Sequence, residues 1–383
     1  MKRIGVFVRS LAHRRWRTAL LAAILCLTLA ASGGWVYYRS LNARMRRSDG
    51  WYFPMATDDE PEETGHAPEA GLRHVDEARL EQALKEWAGD PGAEILEDRN
   101  VLNILLCGVD TQTGDARGGR ADAVLLVSIN KRKRAVTLTS ILRDSWCYID
   151  LSRDPANPRA VPGRAASAYA LGGPATLMET LSAAYRIGID DYICVDFNSF
   201  PRLIDSLGGV TLDVRPEEAD YINRTVSSMR GRFPGGTGVK LTGQQALTYS
   251  RVSPGSDETR AARQQQLILA ILDSARQASP GQILKTLEKV PRYVTTDLTE
   301  EDVDTLVKDA FMQGWLSYSA AQLRTPVLPG EAGDATGLSA VISGRQVWIV
   351  DYPREAKRLQ EAIYGRTNIG DGGEAGYLTE LFG

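Results

Sequence analysis

Three short apolar runs follow one another closely: VLNILLCGV (residues 101–109), AVLLVSIN (123–130) and AVTLTSIL (135–142). Each is shorter than an ordinary helix and apolar almost throughout, the pattern of a strand covered on both faces. Only the tetrapeptide KRKR, Lys131–Arg134, separates the second from the third, so those two strands are expected to turn back on each other and run antiparallel. Two further runs, YICVDF (192–197) and VTLDV (210–214), alternate with helical patterns at 172–188, 197–209 and 258–272, and QVWIVDY (346–352) reads as a late strand. Strands joined both by hairpins and through helical crossovers make a mixed sheet with helices on both faces. The expected fold is therefore α/β, an αβα sandwich around a mixed central sheet. No internal repeat is visible.

The chain has 383 residues, 43% hydrophobic and 24% charged, enough for one sizeable core with appendages, and its net charge of −3 points to no polyanionic partner. Its charge is unevenly placed. Lys2, Arg3, Arg9, Arg14, Arg15 and Arg17 precede TALLAAILCLTLAASGGWVYY, Thr18–Tyr38, which carries no ionisable group before its tyrosines. A run of about 20 apolar residues matches a bilayer core. Basic residues hold their side in the cytoplasm, and Trp35, Tyr37 and Tyr38 suit the far interface. The expectation is a cytoplasmic tail at 1–17, a transmembrane helix at 18–38 and the bulk of the chain outside; a cleaved signal peptide is the rival reading. Residues 39–98 read as an acidic linker (MATDDEPEETGHAPEAG) with a short amphipathic helix presenting Leu80, Leu84 and Trp87, and 99–383 as the main domain.

Histidine narrows the chemistry. The three are His13, His66 and His74, so none is available beyond position 74 for a Ser-His-Asp triad, a Cys-His pair or a histidine-ligated zinc. Cys26 lies in the apolar span. Cys107, Cys147 and Cys194 sit in apolar runs and read as small buried hydrophobes, with a Cys107–Cys147 or Cys147–Cys194 bridge left open. What remains is carboxylates, arginines, hydroxyls and a hard metal ion.

Three clusters lie just past strand ends, where open sheets place ligands. In LLCGVDTQTGDARGGRADAVLL, Asp110 ends one strand and a glycine-rich loop leads to Arg120 and Asp122 at the start of the next. One such carboxylate is commonly a turn former, but two with an arginine suit a magnesium–phosphate site. In SILRDSW, Arg143 and Asp144 follow the third strand, either as a local ion pair or as site residues. In LTGQQALTYSRVSPGSDETRAARQQQ, a helix ends near Arg251 and Asp257 stands where an N-cap belongs. Arg260, Arg263 and Gln264 then share a face with Leu267 and Ile271. Cations on the inward face of a helix N-terminus oppose its dipole unless an anion lies against them. No GxxxxGK[ST] occurs, so that anion is not held by a nucleotide P-loop.

Taken together and in order, NILLCGVD, GRADAVLLVSIN, SILRDS, AYALGGP, IDDYICVDFNSFPRLIDSLGGVTLDV, LTGQQALTYSR and RAARQQ resemble the LytR-CpsA-Psr family of cell-envelope proteins. The resemblance implies transfer of a phosphate-linked glycopolymer, such as teichoic acid or capsular polysaccharide, from a polyprenyl-pyrophosphate carrier to a peptidoglycan sugar hydroxyl. It further implies a single-pass cell-membrane protein whose partners are that lipid-linked polymer, peptidoglycan and the membrane, with an apolar tunnel for the lipid tail. Magnesium would be linked to Asp110 and Asp122. Pyrophosphate would be bound by Arg120, Arg143, Arg164, Arg251, Arg260, Arg263 and Gln264. Arg143 would act in catalysis; with no histidine at hand, the proton acceptor is expected to be Asp110 or Asp257, or else the substrate phosphate itself. The chain departs from the family pattern at Leu142, Ser253, Glu258 and Thr259, and Ser253 removes one arginine. A hydrolase of the same lipid pyrophosphate uses the same residues. A binding module without turnover and a membrane-bound transcriptional regulator are the non-enzymatic alternatives. Fewer than 20 residues precede the span, too few for a DNA-binding domain.

Overall fold

The computed structural model describes residues 46–47, 75–90, 93–111, 119–151, 160–226, 233–252, 257–277, 293–299, 301–303, 305–306, 309, 323–324, 327–329 and 336–370. The expected membrane span, the loop at 112–118, Ser253 and the side chains of Asp257 and Glu258 lie outside the described residues. Among those described, no helix is long and apolar enough to cross a membrane.

The elements run β1 (Arg46–Arg47), α1 (Glu77–Ala88), β2 (Val101–Asp110), β3 (Arg120–Asn130), β4 (Ala135–Ile141), β5 (Trp146–Asp150) and β6 (Ala160–Arg164). Then come α2 (Ala165–Tyr185), β7 (Asp191–Asp196), α3 (Phe200–Leu207), β8 (Val210–Val214), α4 (Pro216–Thr225), β9 (Gly236–Leu241), α5 (Gly243–Ser250) and α6 (Asp257–Gln277). The last are β10 (Val294–Thr296), β11 (Leu323–Arg324), β12 (Val327–Leu328), β13 (Gly337–Ile342), β14 (Arg345–Val350) and α7 (Tyr352–Tyr364).

The main sheet has the order β1-β10-β7-β2-β3-β4-β11, with β12 also paired to β4. β2, β3 and β4 run antiparallel in succession, the KRKR turn joining the last two, whereas β2 and β7 are parallel across the α2 crossover. The sheet is mixed, as the order of runs implied. Helices α1, α2 and α7 cover one face in a core that includes Leu80, Leu105, Leu126, Leu177 and Leu359, all 1% exposed or less. A second core joins α3 to α6 with the β8–β9 ribbon, and Ile268 and Leu269 of α6 pack on Ile129, Val136 and Leu138. Full burial of each such aliphatic side chain contributes about 1.5–3 kcal/mol.

Several details differ from the sequence reading. VTLDV does not enter the main sheet; β8 pairs with β9, and its Thr211 and Asp213 are exposed. That alternation marks a strand covered on one face only. QVWIVDY likewise forms its own hairpin, with β13, while β5 and β6 make a further unanticipated hairpin. Helix α2 starts at Ala165 rather than near Gly172, and it kinks at Gly173, whose φ of 75° comes just before Pro174. The helix around Leu80, Leu84 and Trp87 is present, and the Trp87 indole N–H donates to the Ala184 carbonyl at 2.8 Å. It belongs to the main core, so the folded unit begins well ahead of residue 99. Cys107, Cys147 and Cys194 are buried free thiols, so neither bridge forms.

Candidate active site

The register of the sheet fixes the floor of one large cavity. Asp110 is paired with Arg120 at the top of β2 and β3. One step down, Val294, Val195, Gly108 and Ala123 stand side by side across four strands. The next row is Ile193, Leu106 and Leu125. All nine of these residues line a cavity of about 850 Å³, roofed by α3 to α6. Its floor thus passes from charged to aliphatic within three rows.

A bulge makes this arrangement possible. Strict alternation places residues 120, 122 and 124 of a strand on one face. Instead, Gly108 pairs with Ala123 and Val109 with Ala121, so Asp122 is the extra residue and the alternation shifts by one. Arg120, Asp122, Ala123 and Leu125 therefore all face the cavity, while Ala121, Val124 and Leu126 are buried in the opposite core. Space at Gly108 is tight: an added Cβ would come within 3.0 Å of the Ala123 Cβ and 3.4 Å of the Phe197 ring.

The charged end is assembled from four segments. Arg143, just past β4, gives Asp122 an ion pair of 2.7 Å and reaches Asp144 at 3.3 Å. The Arg143 carbonyl accepts the N–H of Ala166 in the first turn of α2, which anchors this corner. Arg251, at the C-terminal end of α5, lies 4.8 Å over the Phe197 ring and 3.4 Å from Asp110. Stacking of that kind contributes about 0.5–1 kcal/mol at an exposed site and orients the guanidinium. Arg260 and Gln264, one turn apart on α6, complete the wall, with Leu267, Ile268 and Ile271 continuing it toward the aliphatic end. Among the described residues, four arginines and two carboxylates line this recess, whose other walls are largely apolar. Such a recess selects an anion with an apolar tail.

Seven of the residues expected from the sequence come together in this one cavity: Asp110, Arg120, Asp122, Arg143, Arg251, Arg260 and Gln264. Two others do not line it. Arg164 caps α2 beneath the corner, 8% exposed, and pairs with Asp144 at 3.3 Å. Arg263, 4% exposed, turns about 60° round the helix from Arg260 and donates to Glu218 at 2.9 Å and to the Val252 carbonyl at 2.8 Å. Glu218 is also held by the Arg215 N–H and guanidinium; burial pushes its carboxyl up, but the bonds from Arg215 and Arg263 outweigh it and leave it below its ordinary range. Breaking such a buried pair from one side costs about 3–5 kcal/mol. The two wrong-way arginines of α6 thus have different partners.

A profile for the LytR_cpsA_psr family matches residues 70–360. The chain belongs to that family. It is 28% identical over 266 residues to biofilm regulatory protein A of Streptococcus mutans serotype c, covering 67% of this chain and 63% of that protein. It is 26% identical to the polyisoprenyl-teichoic acid–peptidoglycan teichoic acid transferase TagV of Bacillus subtilis, covering 74% and 63%, and 28% identical to TagU of Oceanobacillus iheyensis, covering 77% and 81%. The chain thus spans a little under two thirds of the first two of these relatives. Among solved structures, gbs0355 of Streptococcus agalactiae matches with a TM-score of 0.57 at 24% identity, covering 71% of this chain and 91% of that one. TagT bound to LIIa-WTA matches at 0.55 and 21%, covering 71% and 96%. TagT with bound octaprenyl pyrophosphate lipid matches at 0.52 and 20%, covering 71% and 95%. These likenesses establish the α/β mixed-sheet fold.

Sequence reasoning missed Phe197, Tyr221 and Gln244, which also line the cavity. It also missed Glu218, the partner of Arg263. The bulge left a trace. Polar residues fall at even positions 120 and 122, but the cavity's apolar residues that follow are odd, 123 and 125.

Proposed function

We propose that this LytR_cpsA_psr protein transfers a phosphate-linked glycopolymer from a polyprenyl-pyrophosphate carrier to a sugar hydroxyl of peptidoglycan. One observation carries the reading: a single cavity graded from an arginine-rich mouth to an aliphatic interior, which matches a diphosphate joined to a prenyl chain. The relatives named as teichoic acid transferases, and TagT with its bound prenyl pyrophosphate, support it.

Arg120, Arg143, Arg251 and Arg260 neutralise the diphosphate and the charge that moves onto the leaving prenyl phosphate. Gln264 donates to the same oxygens. The α6 stripe of Leu267, Ile268 and Ile271 receives the tail. Asp110 and Asp122 suit a magnesium ion: both carboxylates line the cavity, among the described residues no third carboxylate, Cys or His joins them, and magnesium takes one or two carboxylates with substrate phosphate oxygens. Bound there, the ion supplies Lewis-acid stabilisation of phosphate charge. Asp110, whose side chain is 40% exposed against 16% for Asp122, is the carboxylate that an incoming hydroxyl meets and the proton acceptor of choice. The apolar Thr18–Tyr38 segment and its basic flank support a catalytic unit held outside the membrane in the cell envelope, where carrier and acceptor meet.

The test is incubation of the full chain with lipid-linked polymer labelled at the linking phosphate, together with peptidoglycan. Label in the glycan strands is expected. Label released only as free polymer phosphate replaces this reading with that of a hydrolase, and no turnover with tight carrier binding replaces it with that of a binding module.

A further inference from the structure

We propose that Arg263 is a positioning residue: it locks together the segments that carry Arg251 and Arg260 and does not touch the diphosphate. This rests on the transfer reading above and deepens it. The sequence places Arg263 beside Arg260 and Gln264, and on pattern alone all three look like ligands to one anion. The geometry separates them. Arg260 and Gln264 line the cavity, whereas the Arg263 side chain, 5% exposed, is sealed behind it against the 3% exposed Glu218.

The bonds of that guanidinium join three separate segments. Its Nε donates to Glu218 Oε1 at 2.9 Å, which reaches α4, the helix that lends Tyr221 to the cavity wall. Its Nη1 donates to the carbonyl of Val252 at 2.8 Å, one residue past Arg251. Its own backbone lies between the helical positions of Arg260 and Gln264. Glu218 is a fixed post for this contact, since Oε2 accepts the Arg215 N–H at 3.0 Å and Oε1 the Arg215 guanidinium at 2.6 Å. The charge of Arg263 is therefore neutralised in place and adds little to the field at the mouth. What it supplies is registry: Arg251 and Arg260 approach the diphosphate from different segments, and Arg263, on the helix of Arg260, is bonded to the residue that follows Arg251. Misplacement of a catalytic group by about 1 Å can lower a rate by about 10²-fold.

The test uses the full chain and three variants: Arg263→Met, Glu218→Met and the double variant. For each, the melting temperature, the affinity for octaprenyl pyrophosphate and the kcat and KM of transfer are measured. The double variant leaves no buried charge unpaired, so it is expected to recover most of the melting temperature lost by either single variant. Its kcat is expected to stay down by about 10-fold or more, matching each single variant rather than their product, because both break one lock. A carrier affinity that collapses in Arg263→Met but holds in Glu218→Met makes Arg263 a ligand and overturns the proposal. A double variant that regains kcat with its stability overturns it too, leaving a purely structural pair. Arg263→Lys covers the case in which the methionine variants do not fold. It keeps the ion pair and loses the bond to Val252, so a several-fold fall in kcat at unchanged affinity is expected, and wild-type kcat counts against the lock. Failure of the underlying reading looks different, since the wild-type chain itself then transfers no polymer to peptidoglycan.

Discussion

Arg143 serves two carboxylates and the cavity at once. It holds Asp122 at 2.7 Å, reaches Asp144 at 3.3 Å and still faces the cavity, so it positions a carboxylate and offers its remaining donors to an anion. A lysine keeps the charge but not the planar fork that meets both carboxylates at once. Arg143→Ala is therefore expected to lower transfer by about 10²–10³-fold, the usual effect of removing one donor from a charge-stabilising site. Arg143→Lys should recover only part of that loss. Circular dichroism should show both variants folded, because Asp144 keeps Arg164 and the corner keeps its backbone bond to Ala166. Transfer at wild-type rate in Arg143→Ala removes this residue from the site. At this scale the sequence was most readable for residues just past strand ends, such as Asp110 and Arg143, which topology sends to the sheet's ligand-binding edge. It was least readable for Arg263, whose partner Glu218 lies 45 positions away and leaves no mark in local pattern.

Among the elements, α6 decides what kind of molecule enters. Arg260, Gln264, Leu267, Ile268 and Ile271 line the cavity in sequence, and 11 residues of helix extend about 16 Å at 1.5 Å per residue. On the proposed function, a prenyl chain would lie along this helix with its diphosphate at the Arg260 end. Ile271→Trp is expected to shorten the aliphatic end and to discriminate by length: affinity for octaprenyl pyrophosphate falls by about 10-fold or more, while geranyl pyrophosphate binds as before. Equal loss for both, measured by titration, means the tail does not run along α6. The same helix also depends on a close approach beneath it, where α5 starts at Gly243. A Cβ there would overlap the Pro201 carbonyl, so Gly243→Ala is expected to separate α3 from α5 and destabilise the fold by about 1–3 kcal/mol, read from denaturant unfolding. The central strands were legible because apolar runs of that length have few other fates. The β5–β6 hairpin was not, since ProGlyArg at 162–164 reads as a turn and its pairing with 146–150 is tertiary. The bulge at Asp122 was hidden for a related reason. Strand periodicity assumes unbroken alternation, and one inserted residue moves the cavity-lining set from even to odd positions.

At the scale of the whole molecule, the main sheet carries a different cluster of charged side chains at each end. The arginine-rich mouth lies where β2 ends at Asp110, and the opposite end gathers Asp190, Asp191, Asp297 and Asp302 where β7 begins opposite Ile104. Six residues of β2 separate the two ends, about 20 Å. The acids have structural work: Asp190 accepts the Asn103 N–H at 2.7 Å, and Asp297 accepts the Tyr192 N–H at 2.8 Å. Gathering them has a consequence for Asp191. Burial, and then the nearby charges of Asp297, Asp302 and Asp190, push its carboxyl from 3.8 up to about 7. The folded chain thus holds this proton through a range in which the unfolded chain has released it. Between about pH 4 and pH 7 the contribution of Asp191 to stability falls as pH rises, and above pH 7 its strain is fully present. Asp191→Asn removes the titration and keeps the shape. Its melting temperature is expected to match that of wild type near pH 4 and to exceed it by a few degrees at pH 8, about 2–4 °C for a domain of this size. Parallel melting curves for the two proteins from pH 4 to pH 8 would falsify the assignment.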